Sequence, residues 1–194
     1  MLPTLRETQL FSNKLGMHGE ANVDFLPMTT IYMVNYWLMK SEPHVYSWEQ
    51  LVTDGSTHWD GVRNYQARNI MRDKMAVGDF VLFYHSNCKP PHVAGVAKVC
   101  KEGYPDFTAQ NVDSKYFDPK ATPDNPRWMM VDIEPISALD SIGLPDMRAN
   151  GDLEGMPLLQ RGQRLSVQPV SSEHFSIVCS MGGVDADEIF RLSS

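Results

Sequence analysis

A run of apolar and aromatic residues, FVLFYH at 80–85, constrains the fold of this 194-residue chain more than any other feature. The run follows the turn sequence VGD and contains no polar residue before its final histidine. Aromatic and β-branched side chains pack well on a pleated surface, and a continuous apolar run is typical of a strand covered on both faces. We therefore predict a buried strand at these positions.

The rest of the chain from Tyr36 onward alternates between strand and helix patterns without a repeating βαβ rhythm. Further strands are predicted at NYWLMK (35–40), HVAGVAKVC (92–100), RWMMVDIEPI (127–136) and RLSVQPV (164–170, ended by Pro169). Helices are predicted at YSWEQLVTDG (46–55), NYQARNIMRDKM (64–75) and SSEHFSIVCSM (171–181). Around five strands with short helices between them predict a small, barrel-like α+β fold.

Charge and composition exclude several classes of protein. The formal net charge of -7 argues against a general nucleic-acid coat protein, which carries a basic face, but allows a local site for one base. Three widely spaced cysteines do not form a disulfide framework, so we expect a reducing compartment. No apolar run approaches the ~20 residues of a membrane helix, and we expect no membrane partner.

The segment THWDGVRNYQARNIMRDKM at 57–75 contains the most informative side chains. Trp59 lies between His58 and Asp60 and is followed by Gly61, which lets a backbone or a ligand come close. A tryptophan most often fills a core, but this one stands at an element boundary, where binding sites are common. The residues alone leave both alternatives open: a core side chain, or a surface on which a flat base stacks.

Catalytic and metal motifs are weak in this chain. The sequence has no G-x-S-x-G elbow, no Walker loop, no G-x-G-x-x-G and no H-E-x-x-H. His85, Cys88 and His92 have a metal-like spacing, but a tetrahedral zinc site needs a fourth ligand and none is near in sequence. We expect no metal and no cofactor.

Six blocks of the sequence, in order and closely spaced, resemble one known family. They are NYWLMKSEP, WDGVRNYQARN, VGDFVLFYHSN, VAGVAKV, YFDPKATPDNPRWMMVDI and LLQRGQRLSVQPV. They are similar to the EVE domain family. The resemblance implies a PUA-like fold, a small mixed β-barrel with short helices around it, and kinship with YTH and ASCH domains. We assign residues 33–180 to this domain, residues 1–32 to a poorly ordered extension, and residues 181–194 to an acidic tail.

The resemblance also implies a non-enzymatic module that recognises a modified base, such as a modified cytosine or adenine, in DNA, RNA or a free nucleotide. Trp59 corresponds to the cage tryptophan of the YTH relatives, and the candidates for further cage aromatics are Trp37, Tyr65, Tyr84 and Trp128. The implied pocket consists of Lys40, Ser41, Glu42, Trp59, Asp60, Gly61, Val62, Asn64, Tyr65, His85, Ser86, Asn87, Ser166 and Gln168. The implied phosphate contacts are Arg63, Arg68, Arg161 and Arg164.

Two alternatives stay open beside the base reader. One is a nuclease or a modified-nucleotide hydrolase related to ASCH enzymes, for which His85 or Glu42 would be the general base. The other is a protein-interaction module that uses the loop NCKPPH at 87–92. We expect a monomer in the cytoplasm, or in the nucleus of a eukaryote. We also expect Trp59→Ala to abolish selective binding while the fold survives.

Overall fold

The computed structural model describes residues 34–193, and the expectation for residues 1–32 lies outside this range. The strands are β1 (Tyr36–Ser41), β2 (Thr57–His58), β3 (Phe80–His85), β4 (His92–Pro105), β5 (Met129–Gly143) and β6 (Val167–Val170). The helices are α1 (Trp48–Asp54), α2 (Tyr65–Asp73), α3 (Leu144–Ala149), α4 (Ser172–Met181) and α5 (Ala186–Leu192). Short 3₁₀ helices lie at Phe107–Ala109, Gly151–Leu153 and Pro157–Leu159.

The six strands form one mixed sheet in the order β2-β5-β4-β3-β1-β6. Strands β1 and β3 run parallel, whereas the other neighbouring pairs are antiparallel. The long β4–β5 pair contains several register shifts, and such bulges bend a sheet. This arrangement confirms the predicted α+β, PUA-like fold.

Strand β3 is covered on both faces, as its sequence predicts. Val81 and Phe83 belong to one hydrophobic cluster, whereas Leu82 and Tyr84 belong to the other. Because successive side chains of a strand point to opposite faces, one apolar strand contributes to both layers. Helix α2 covers the first cluster, with Ala67, Ile70 and Met71 buried; helix α4 covers the second, with Phe175, Val178 and Cys179 buried.

Helix α1 begins over β4, and a glycine there is required. The Ser47 side chain accepts a hydrogen bond from the backbone N–H of Gln50 (3.2 Å) and thereby caps the N-terminus of the helix. A Cβ atom at Gly95 would lie 2.4 Å from Cζ2 of Trp48. The indole therefore packs directly on the backbone of β4, the close approach for which an interior glycine is suited.

Two segments differ from their predicted form. Pro169 does not end β6 but lies inside it, paired with Trp37 of β1. Strand β6 is at the end of the sheet, where a missing N–H costs no ladder hydrogen bond on the open side. The acidic segment 181–194 contains α5, whose Ile189 is buried in the second cluster.

None of the helices within residues 34–193 has the length and apolar character needed to cross a membrane.

Candidate functional site

A cavity of about 560 Å³ opens where the two ends of the sheet approach each other. Strand β2, at one end, contributes Thr57 and His58, whereas β1, next to the opposite end, contributes Lys40 and Ser41. Curling of the sheet thus creates the site, since these strands are far apart in the strand order. The residues that the family resemblance implied and that line this cavity are Lys40, Ser41, Glu42, Trp59, Asp60, Gly61, Val62 and Ser166.

Trp59 belongs both to the core and to the cavity wall. Its side chain is only 8% exposed, and its ring stands perpendicular to that of Phe83 at a centroid distance of 5.5 Å. Its backbone N–H donates to the carbonyl of Val131 (2.8 Å), which ties this segment to β5. The two alternatives for Trp59 therefore describe one side chain, packed in the first hydrophobic cluster with one part facing the cavity.

The rim of the cavity carries both signs of charge close together. Glu42 accepts a hydrogen bond from the Asn87 amide (2.6 Å), which holds its carboxylate at the mouth. Lys40 is half-buried, and this burial lowers the pKa of its ammonium group. Among residues 34–193, that ammonium donates one long hydrogen bond, to the carbonyl of Gln163 (3.5 Å), which leaves most of its donor capacity unused within this range. Ser41 donates to the carbonyl of Tyr46 (2.7 Å).

Several residues implied as pocket residues lie outside the cavity. The Asn64 side chain caps α2 by accepting from the N–H groups of its first turn, and Tyr65 stacks on Trp128 at 4.9 Å with half of its surface exposed. Ser86 donates to the carbonyl of Ser41 (3.2 Å). Asn87 does not line the cavity, but its amide donates to the carboxylate of Glu42, which does.

His85 and Gln168 are buried polar residues rather than cavity walls. The Nε2 atom of His85 accepts from the backbone N–H of Trp48 (3.2 Å), and burial, together with the charge of His92, lowers the pKa of the ring. Gln168 donates to the carbonyl of Leu165 (2.6 Å). Both residues are at most 3% exposed, and neither is among the residues that line the cavity.

None of the four candidate cage aromatics lines this cavity. Trp37 donates its indole N–H to Asp79 (2.8 Å) within the first cluster, and Tyr84 packs in the second. Trp128 donates to Asp118 (2.7 Å) and lies under Tyr65. The aromatic side chains that line the cavity beside Trp59 are Tyr46, His58 and Tyr116.

The four arginines implied as phosphate contacts have different surroundings. Arg63 lines the cavity but pairs with the buried carboxylate of Asp106 (2.7 Å), and Arg68 donates to the carbonyl of Arg127 (2.7 Å) away from the cavity. Arg161 and Arg164 are exposed on the loop before Ser166 and form no ion pair with any residue that the structure describes.

Sequence reasoning missed a set of cavity residues, of which Lys115 and Tyr116 come from a loop remote in sequence. Tyr116 is the first residue of YFDPKATPDNPRW, which is part of one of the blocks that resemble the family. No local sequence pattern indicates that this residue contacts Gly61. The missed lining residues are Val45, Tyr46, Asp54, Thr57, His58, Lys115 and Tyr116.

The histidine and cysteine group near the β3–β4 turn is not arranged as a metal site. The Cys88 sulfur lies 3.8 Å from Nδ1 of His92, and the same Nδ1 is 2.9 Å from the carbonyl of Pro90. Within residues 34–193, no three His, Cys, Asp or Glu side chains are grouped so as to bind a metal ion.

Comparison with known sequences identifies the family. The model of the EVE domain matches residues 35–181. The chain belongs to the EVE domain family. Human thymocyte nuclear protein 1 is 41% identical over 167 residues, which cover 76% of this chain and 73% of the relative. An uncharacterised protein of Schizosaccharomyces pombe is 38% identical, over 74% of this chain and 66% of its own length.

Solved structures of similar proteins match the described fold. A protein from Pseudomonas syringae is 46% identical with a TM-score of 0.72, covering 75% of this chain and 98% of its own. A protein from Leishmania major is 46% identical with a TM-score of 0.74, covering 78% of this chain and 96% of its own. The structure of human thymocyte nuclear protein 1 in complex with 5-methylcytosine-containing DNA is 40% identical in sequence with a TM-score of 0.70. The match covers 76% of this chain and 97% of the human chain.

Proposed function

We propose that this EVE domain binds DNA carrying a modified cytosine and holds the modified base in the cavity beside Trp59. The observation that carries the proposal is the cavity itself, in a fold shared with a 40%-identical relative whose structure contains 5-methylcytosine DNA. A volume of about 560 Å³ lies within the range of small-molecule sites and accommodates one nucleobase with part of its sugar.

The side chains at the cavity can pair with the edge of a cytosine. The Lys40 ammonium can donate to an acceptor on the ring, and the carboxylates of Glu42 and Asp60 can accept from its exocyclic amine. Val62 adds an apolar surface for an extra methyl group. Contact with one methyl contributes about 1–3 kcal/mol, so we expect modest discrimination between modified and unmodified cytosine.

Entry of the base requires that it leave the stack of its strand. Flipping costs a few kcal/mol, and stacking on an aromatic side chain returns about 1–3 kcal/mol. Contacts to the phosphates must supply the remainder. Arg161 and Arg164 are exposed on the loop that brings Ser166 to the cavity, which makes them the proposed phosphate contacts.

The proposed activity is binding without turnover. Of the two general bases considered for an enzyme, His85 is buried and accepts from the backbone of α1, so it does not reach a base in the cavity. Glu42 lies at the mouth, where its carboxylate is already held by Asn87. The geometry favours a carboxylate that recognises a donor group.

The proposal is tested with a panel of DNA and RNA oligonucleotides that differ in one base: cytosine, 5-methylcytosine, adenine or N6-methyladenine. We expect the tightest binding to 5-methylcytosine DNA, and Glu42→Gln to weaken it roughly tenfold or more, as for a hydrogen bond to a charged group. Glu188→Gln, an exposed acid on α5, is the matched control. Equal affinity across the panel, or a cleaved product, would contradict the proposal.

A further inference from the structure

Tyr116 brings an aromatic ring to the cavity from the loop between the 3₁₀ helix Phe107–Ala109 and β5. Its ring lies directly against Gly61, because a Cβ atom at Gly61 would be 2.5 Å from Cζ of the tyrosine. Gly61 also has a φ of +73°, which other residues rarely adopt. A glycine at this position therefore permits the ring to approach the segment that carries Trp59.

Arg63 holds the backbone of Tyr116 in this position. Its Nε atom donates to the Tyr116 carbonyl at 3.1 Å, and its Nη2 atom donates to the same oxygen. The guanidinium carbon lies 5.5 Å from the centroid of the Tyr116 ring and 5.3 Å from that of Trp128. A planar guanidinium suits this arrangement, since it can stack on aromatic rings while donating several hydrogen bonds.

Asp106 binds both Arg63 and the backbone of Gly61 through one carboxylate oxygen. Its Oδ2 atom accepts from Nη1 of Arg63 (2.7 Å) and from the backbone N–H of Gly61 (3.0 Å). The side chain of Asp106 is fully buried, so these hydrogen bonds are not exchanged for water. The position of Tyr116 relative to the Trp59–Gly61 segment is thereby set by one hydrogen-bonded network that is centred on the buried Asp106 carboxylate.

From this geometry we infer that Tyr116 forms the second aromatic surface against which the bound base packs, and that Arg63 is the residue that positions it. The inference rests on the proposed function. It adds Tyr116 as a second aromatic residue of the pocket and Arg63 as the residue that positions it. A tyrosine ring beside a buried tryptophan is suited to binding a flat, aromatic ligand. The neighbouring Lys115 places its ammonium 4.7 Å from the ring centroid, which adds a cation at the same mouth.

The first test compares two aromatic residues of the same loop. Tyr116→Ala should weaken binding of the 5-methylcytosine oligonucleotide about tenfold or more, in line with loss of one base–aromatic contact. Tyr116→Trp keeps a stacking surface and should retain most of the affinity. The matched control is Phe117→Ala, because Phe117 is exposed and does not line the cavity. Equal binding by Tyr116→Ala and wild type would overturn the inference.

The second test separates positioning from direct contact. Arg63→Lys keeps a charge beside Asp106 but cannot also donate twice to the Tyr116 carbonyl, so its affinity should fall. If Arg63 acts through Tyr116, the double variant with Tyr116→Ala should bind no more weakly than Tyr116→Ala alone. Fully additive losses would overturn the positioning role. Urea unfolding of each variant gives the folded fraction, and binding is scored per folded molecule.

The two proposals fail in different ways. If the wild-type protein prefers the modified oligonucleotide and the Tyr116→Ala variant keeps the same affinity, the inference is contradicted and the proposed function is not. A wild-type protein without any preference contradicts the proposed function and the inference together.

Discussion

Replacement of Trp59 should remove ligand binding and a large part of the stability at the same time. The side chain is 8% exposed and packs perpendicular to Phe83 in the first hydrophobic cluster. Truncation of a buried tryptophan to alanine costs about 3–5 kcal/mol, because the transfer free energy of the ring is lost and a cavity remains. Domains of this size have a free energy of unfolding of about 5–15 kcal/mol, so Trp59→Ala leaves a marginal fold.

This expectation differs from the one based on the sequence, in which the fold survives Trp59→Ala. The informative variant is therefore Trp59→Phe, which keeps an aromatic ring in the core and exposes a smaller surface to the ligand. Urea unfolding, read by circular dichroism, gives the stability of both variants, and fluorescence anisotropy gives their affinity for labelled 5-methylcytosine DNA. A Trp59→Ala protein with the urea midpoint of wild type would refute the assignment of Trp59 to the core.

Two further predictions concern buried positions. Burial acts to raise the pKa of Asp106, but hydrogen bonds from Thr108, Arg63 and Gly61 lower it overall. A carboxyl with a lowered folded-state pKa contributes stability above its unfolded pKa of about 4, and this is lost as the pH falls through the folded value. Asp106→Asn should therefore flatten the acid side of a plot of urea midpoint against pH; an unchanged slope would contradict this. Gly95→Ala should destabilise the domain by more than about 1 kcal/mol, since Trp48 must move from its place on β4; a thermal midpoint equal to that of wild type would show that the indole has room.

Local pattern was sufficient for much of the fold. The apolar run of β3 predicted a strand covered on both faces, and the pattern at 64–75 predicted the helix that forms α2. These predictions succeed because side-chain direction follows from the period of a strand or a helix. Pro169 was assigned wrongly, since its effect depends on which side of β6 is open.

Most of the predicted residues that line the cavity belong to two continuous segments of the chain, and Ser166 is the exception. The segments 40–42 and 59–62 reach the cavity because each is continuous along the chain. His85, by contrast, lies on β3 just past a register shift between Phe83 and Tyr84, and its ring points under α1. The direction of a side chain after a bulge depends on strand pairing, which a sequence pattern does not contain.

The sequence by itself determined the family, the α+β class and the acidic character of the chain, together with the Trp59–Gly61 segment as a candidate for binding. Tertiary structure decided the composition of the cavity. Tyr116 meets Gly61 from a position 55 residues further along the chain, and one buried oxygen of Asp106 accepts hydrogen bonds from both Gly61 and Arg63. Contacts of this kind depend on the pairing of β2, β5 and β4 and on the path of the loop between β4 and β5, which no local propensity specifies.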